Sequence, residues 1–329
     1  MSKENYFEYP IDLVYLWVDG DDTKWKEKKS FYQSKEKNLD IQAYCKGRFI
    51  NNDELKYSLR SVEKYIPWVN NIFIVTDEQV PRWLNINHPK IKMIFHKDFI
   101  PNEILPLFNS CAIECFLADI PNLSEHFIYA NDDMFINFPL EKSFFFNEKG
   151  YPIARVKKSN KNKIIETSMY SRRIFRMLDK IKEKFNKNIC YTPHHNIDSY
   201  LKSDFIKCRE FFKEEFEQTS KNKFRKEEDV ERFIINLYQG SVSCGNFKEV
   251  HKIDVDLNIF QKITNRLLNK LQVDSKVVNI MNPDFSSEFF KLKPKLFCIN
   301  DGENVTEEGR RQAREFLEKL LKDKSSFEI

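Results

Sequence analysis

Short runs of β-branched and aromatic residues alternate with amphipathic stretches through the first half of the chain. Ile11 to Val18 (IDLVYLWV) is almost wholly apolar and is cut off by Asp19-Gly20-Asp21-Asp22, the pattern of a buried strand entering a turn. Asp53 to Ile66 sets Leu55, Leu59, Val62 and Ile66 at helical spacing, with Asp53 as the expected N-cap. Asn71 to Thr76 (NIFIVT), ended by Asp77, reads as a second strand and Ile91 to Phe95 (IKMIF) as a third. Phe108 to Ala118 has helical periodicity, and Phe127 to Ala130 (FIYA) is a fourth strand ended by Asn131-Asp132-Asp133. Strands separated by helices predict an α/β fold with a largely parallel sheet covered on both faces.

The texture changes near residue 157. Lys157 to Lys163 (KKSNKNK) is a polar, basic connection, and residues 168 to 240 read as mostly helical, interrupted at Pro193-His194-His195. Lys291 to Ile299 (KLKPKLFCI) is strand-like and ends in Asn300-Asp301-Gly302; Ala313, Phe316, Leu317, Leu320 and Leu321 then share one face of a C-terminal helix. Three segments follow: an α/β core over 1–156, a mostly helical insertion over 157–250, and a return strand with a C-terminal helix over 251–329.

Composition narrows the function. With 329 residues, 41% hydrophobic and 32% charged, this is a globular chain able to bury a core without disulfide or metal staples. Lys plus Arg number 54 against 50 Asp plus Glu, too even a balance to mark a nucleic-acid binder. The longest uncharged run, Phe233 to Phe247, has 15 residues and includes polar ones, too short to span a bilayer. The N-terminus has no apolar signal-peptide core. Seven cysteines contain no Cys-x-x-Cys pair, which fits a reducing, cytoplasmic setting; Cys111 and Cys115 read as small core residues. The seven glycines assemble neither a G-x-G-x-x-G fingerprint nor a P-loop, so any phosphate must be neutralised by metal ions and basic side chains. Arg155 to Lys187 carries twelve basic residues and three acidic ones, either a solvated helix face or a surface for an anionic acceptor or lipid head groups.

Acids recur just beyond the apolar runs: Asp19 and Asp22, then Asp132 and Asp133, then Asp301. In open α/β sheets ligands bind outside the carboxyl ends of the strands. Carboxylates gathered there repel one another unless a cation intervenes, and a hard divalent ion on carboxylates and phosphate oxygens resolves the conflict. Each has a plainer reading, Asp-Gly being an ordinary turn; their joint occurrence argues for a hard divalent cation. The adjacent pair His194-His195 excludes the i, i+4 zincin spacing, and imidazole suits a general base at neutral pH. A surface histidine pair and a solvated Arg225 are the alternatives.

The segment IDLVYLWVDGDDTKW (11 to 25) resembles the opening motif of the Stealth family of sugar-1-phosphate transferases. The likeness continues through Arg48-Phe49, ELKYSLRSVEKYIPWVNNIFIVTD (54 to 77), LFNSCAIE (107 to 114) and FIYANDDMFI (127 to 136). TPHHNID (192 to 198), EEFEQTSKNKFRKEEDV (214 to 230) and PKLFCINDG (294 to 302) are similar to its third and fourth blocks. The resemblance implies a Rossmann-like, glycosyltransferase-A-type core that binds a nucleotide sugar. It also implies a UDP-sugar donor, and an oligosaccharide, polysaccharide or lipid-linked glycan as acceptor. By position, Asp19, Asp22, Arg48, Glu54, Arg60, Asn131, Asp132, Asp133, His194, Arg225, Asp229, Asn300 and Asp301 match the family blocks, His195 competing with His194.

The chemistry expected from this is attack of an acceptor hydroxyl on the β-phosphorus, releasing UMP, in capsular or exopolysaccharide synthesis. Asp132, Asp133 and Asp301 would hold Mg²⁺ or Mn²⁺, while Arg225 and Arg48 would bind phosphoryl oxygens. His194, or else Asp19, would act as base. Asp22, Glu54, Arg60, Asn131, His195, Asp229 and Asn300 would bind substrate. The rival enzyme is a metal-dependent glycosyltransferase that releases UDP. The non-enzyme rival is an anionic-surface or nucleic-acid binding module built on the basic stretch. A glycan acceptor on lipid would bring the protein to the inner face of the membrane.

Overall fold

Five strands form the central sheet of the computed structural model, which describes residues 7–37, 39–158, 168–244, 247–249, 273–301 and 304–329. Numbered in chain order, they are β1 (Ile11–Leu16), β2 (Ile72–Thr76), β3 (Ile91–Phe95), β4 (His126–Asn131) and β8 (Asp198–Leu201), arranged β3-β2-β1-β4-β8. The first four run parallel and β8 is antiparallel to β4. Two three-stranded sheets flank it. One is β10 (Ser275–Asn279), β11 (Leu296–Asn300) and β5 (Met134–Ile136); the other is β7 (Tyr191–Pro193), β6 (Ala154–Lys158) and β9 (Phe247–Glu249). Ten helices are described: α1 (Thr23–Gln33), α2 (Ile41–Tyr44), α3 (Glu54–Tyr65), α4 (Ser110–Glu114), α5 (Met169–Phe185), α6 (Lys202–Phe211), α7 (Lys213–Ser220), α8 (Phe233–Gln239), α9 (Phe285–Leu292) and α10 (Glu307–Leu320). This is the α/β class with a mostly parallel sheet that the hydrophobic pattern predicts.

The strands read as continuous apolar runs because both sheet faces are covered. Val14, Phe73, Val75, Phe127 and Tyr129 pack on one face with residues of α4 to α8. Leu13, Tyr15, Ile72, Ile74, Ile128 and Ala130 pack on the other with Leu55, Leu59 and Val62 of α3. A third core joins β11, α9 and α10 through Phe289, Phe297, Phe316 and Leu317. From β1 the chain builds outward through β2 and β3, then returns to place β4 on the opposite side. The strand order therefore reverses between β1 and β4, where Leu16 pairs with Asn131, and a crevice opens at their carboxyl ends.

Several expectations need correction. Asp53 precedes α3 but does not cap it with its side chain; it takes a left-handed φ of 65° and turns the chain. The helix expected over 108–118 is α4 followed by a separate 3₁₀ turn at Leu117–Asp119. The segment read as helical also contains β8, a four-residue strand. Lys291 and Leu292 end α9 rather than starting a strand, and β11 lies in a second sheet. Its acid still reaches the crevice: the chain leaves β4 at Asp132-Asp133 to form β5, and Ile299 N–H donates to the Asp133 carbonyl at 2.9 Å. Of the basic stretch, Arg155 and Arg173 are internal, beside Asp274 at 3.6 Å and Glu231 at 2.6 Å. Positions 159–167 of that stretch, 245–246 and 250 of the second segment, and 251–272 and 302–303 of the third lie outside the described residues. Among the described residues no helix is long and apolar enough to cross a membrane.

Candidate active site

A cleft of about 530 Å³ occupies the strand-order reversal. The carboxyl ends of three strands build its floor: Leu16 of β1 with Trp17 and Val18 after it, Asp77 after β2, and Asn131 of β4 with Asp132 and Asp133 after it. The start of α3 adds Glu54 and the end of β11 adds Asn300 and Asp301. Arg48, Ser110, Tyr170, His195 and Arg225 complete the polar wall, and Trp25 and Phe108 line it with aromatic surface.

The acids sit where the fold forces them together. Ser58 Oγ, on α3, donates to the Met134 carbonyl at 2.5 Å, and Ile136 N–H donates to Ser61 Oγ at 3.1 Å. These bonds hold the Asp132-Asp133 turn beside the first turn of α3. Burial raises the Glu54 carboxyl to about 7 and the Asp133 carboxyl to about 6. Asp132 is pushed well up by burial, then by Glu54 and Asp133. Asp133 Oδ2 accepts from the Cys298 thiol at 3.4 Å, while its Oδ1 is buried without a partner. An all-oxygen group with an orphaned carboxylate oxygen fits a hard divalent cation. Asp301 fits less directly, because both its oxygens accept from Arg310, at 2.7 and 3.2 Å.

A second buried acidic group, Cys111, Glu114 and Glu231, is already neutralised. Arg173 Nε donates to Glu231 at 2.7 Å, and Arg232 lies 3.4 Å from Glu114 Oε1. Burial alone drives the Glu231 carboxyl up, yet Arg173, Arg225 and Arg232 together hold it down to about 2. That charge balance leaves Asp132, Asp133 and Glu54 as the acids better able to hold a cation.

Facing the acids are two guanidinium groups to which no carboxylate of the described residues is hydrogen-bonded. Arg48 donates to the Gln42 carbonyl and Arg225 to the Ser110 hydroxyl. Burial, then the neighbouring Arg225, lowers the Arg48 value to about 10. Two like charges held together at a cavity wall make an anion site. Arg225 is positioned by its loop: Asp229 accepts from Asn109 Nδ2 at 2.8 Å, Asn222 Nδ2 at 2.6 Å and Lys226 N–H at 2.8 Å. Phe224 stacks on Phe108 at 5.3 Å.

The cleft thus gathers Arg48, Glu54, Asn131, Asp132, Asp133, His195, Arg225, Asn300 and Asp301. Five other sequence candidates are not among its lining residues. Asp19 closes its turn by accepting from Asp21 N–H at 2.9 Å, and Asp22 caps α1 through Trp25 N–H at 2.7 Å. Arg60 forks onto Glu328 at 2.8 and 2.9 Å, and Asp229 is the loop clip just described. His194 is buried, its Nε2 3.4 Å from Asp198 Oδ1. Its neighbour His195 has a left-handed φ of 57°, which turns the chain so that His195 lines the cleft beside Tyr170. Burial, then Arg232, lowers the His195 imidazole to about 4, so it is neutral at pH 7. Sequence reasoning missed Asp77, although it follows a strand as the other acids do. It also missed His96, which burial lowers to about 4.

The raised acids make a testable linkage. Carboxyls near 6 and 7 in the folded state, against about 4 when unfolded, favour the folded protein at low pH. That stability is lost progressively as pH rises from about 4 through the folded values of about 6 and 7. A bound cation removes the penalty. Thermal melts with and without Mn²⁺ should therefore show a larger stabilisation at pH 8 than at pH 5.5. Equal shifts at both pH values contradict the assignment.

Comparison with known proteins agrees with the motif reading. Residues 9–37 match "Stealth protein CR1, conserved region 1" and residues 48–154 match "Stealth protein CR2, conserved region 2". The chain is 42% identical over 233 residues to the capsular polysaccharide phosphotransferase fcs1 of Haemophilus influenzae, covering 67% of this chain and 62% of that protein. It is 32% identical over 356 residues to the exopolysaccharide phosphotransferase cps2G of Lactiplantibacillus plantarum, covering 97% of this chain and 96% of that one. Among solved structures, the bifunctional glycosyltransferase WbbM aligns with 97% of this chain and 50% of its own, at 11% identity and a TM-score of 0.45.

Proposed function

The chain belongs to the Stealth family of polysaccharide phosphotransferases, and we propose that its cleft transfers a hexose- or N-acetylhexosamine-1-phosphate from a UDP-sugar to a glycan hydroxyl, releasing UMP. The observation that carries this reading is one cleft in which Asp132, Asp133 and Glu54, acids with no basic side chain hydrogen-bonded to them among the described residues, lie with the guanidinium pair Arg48 and Arg225. A pyrophosphate needs both, a cation on its oxygens and forked donors on the phosphorus that reacts. The glycan made would be a capsular or exopolysaccharide, and we place the enzyme in the cytoplasm, meeting lipid-linked acceptors at the inner face of the membrane.

In this mechanism the acceptor oxygen forms a bond to the β-phosphorus as the bond from that phosphorus to the bridging oxygen breaks. UMP leaves with the electron pair. The bond from the anomeric carbon to its oxygen stays intact, so configuration is retained. Asp132, Asp133 and Glu54 would hold Mg²⁺ or Mn²⁺, which would supply Lewis-acid neutralisation of pyrophosphate charge. Arg48 and Arg225 bind the equatorial oxygens of the transferring group. His195, neutral and in the cleft wall, takes the acceptor's proton in place of His194; adjacent phosphates raise its basicity when substrate is bound. Asn131 and Asn300 offer hydrogen bonds to the sugar.

The nucleotide product tests this. Purified protein with Mn²⁺, UDP-sugars and oligosaccharide acceptors should yield UMP together with a new phosphodiester, and EDTA should abolish both. UDP in place of UMP makes the protein a glycosyltransferase acting at the anomeric carbon and overturns the mechanism.

A further inference from the structure

We propose that Arg314 is a positioning residue for the cation site, acting through Asn52 on Glu54. Arg310, Arg314 and Glu318 lie four residues apart along one face of α10 and grip the cleft from behind. Arg310 forks onto Asp301, Arg314 Nη1 donates to Asn52 Oδ1 at 2.9 Å, and Glu318 accepts from Tyr57 of α3 at 2.5 Å. Asn52 in turn grasps both oxygens of Glu54, with Nδ2 donating to Oε1 at 2.8 Å and its backbone N–H donating to Oε2 at 2.6 Å.

The logic lies in what each group can do. A guanidinium only donates, so the Asn52 oxygen must face Arg314. The Asn52 amide nitrogen is thereby forced toward Glu54, where it holds a carboxylate oxygen in one place. Without Arg314 the amide is free to turn over and present its own oxygen to Glu54, which repels a carboxylate. Partners behind a metal ligand tune affinity in this way, and their loss typically weakens binding about 10- to 100-fold.

The inference rests on Glu54, Asp132 and Asp133 being the cation's residues, and its sign separates it from simple electrostatics. Removing a positive charge near a cation site should tighten binding; removing a positioning group should weaken it. Mn²⁺ binding to the substrate-free protein, followed by electron paramagnetic resonance, reads this directly. Arg314→Met is expected to weaken Mn²⁺ about tenfold. Arg314→Gln keeps a donor for Asn52 without the charge and is expected to stay within about threefold of wild type, a margin well inside the loss of a supporting partner. Melting curves without metal identify any variant that fails to fold, and Arg314→Gln keeps the test open if Arg314→Met does. Wild type that binds Mn²⁺, with Arg314→Met equal or tighter, overturns this inference alone. Wild type that binds no Mn²⁺ overturns the cation assignment together with it.

Discussion

Asp133→Asn is expected to lower turnover by about three orders of magnitude, the cost of losing several kcal/mol of charge neutralisation, while leaving the protein at least as stable in the absence of metal. Asp133 is buried beside Asp132 and Glu54, and burial raises its carboxyl to about 6. At pH 7.5 it is therefore ionised although burial resists the charge, and that charge opposes ionisation of Glu54 and Asp132. The amide removes that charge, and its oxygen can still accept from the Cys298 thiol that Asp133 Oδ2 now engages. What it loses is the anionic Oδ1, a buried atom with no hydrogen-bond partner among the described residues. Activity and stability should thus move in opposite directions, as expected where a site stores repulsion for a ligand to relieve. Steady-state rates and melts of the same preparation check this. Retained turnover refutes a catalytic cation at Asp133.

Arg225→Ala is expected to cost about 10³-fold or more in turnover, the scale seen when an arginine is removed from a phosphoryl-transfer site. Arg225→Lys should recover little. The Arg225 loop is fixed by Asp229 and by Phe224 on Phe108, so its fork has a defined place above the cleft. A lysine supplies charge but neither planarity nor paired donors. The fold should tolerate both changes, since among the described residues Arg225 donates only to the Ser110 hydroxyl, and buried Glu231 keeps Arg173 and Arg232 beside it. Rates for the two variants, with KM for the donor measured separately, decide the matter. Full rescue by lysine means that charge alone counts and removes the geometric role assigned here.

The sheet was legible because a strand covered on both faces is written as a continuous apolar run, as in IDLVYL and IFIVT. Asp132-Asp133 was legible for a related reason, two adjacent acids after such a run being costly without a partner. What escaped depends on partners far away in sequence or on backbone angles. Arg60 looks like a site arginine until Glu328, 268 positions on, claims it. Asp22 as an N-cap and Asp22 as a ligand are the same letter in the same place. Which of His194 and His195 enters the cleft turns on the left-handed φ at His195, which no neighbouring glycine announces. β8 is four residues long in a segment with strong helical periodicity around it, so local pattern could not separate it. Asp77 carried a signal, being the residue after NIFIVT, and only its cleft position gives that signal weight.

The central claim is that the β-phosphorus stays with the sugar. A UDP-sugar labelled with ³²P at the β-phosphorus, incubated with the protein, Mn²⁺ and a glycan acceptor, tests it in one step. Label should pass into the glycan in a bond stable to phosphomonoesterase, with unlabelled UMP released in equal amount. Label recovered in UDP, with an unlabelled glycan extended by one sugar, contradicts it.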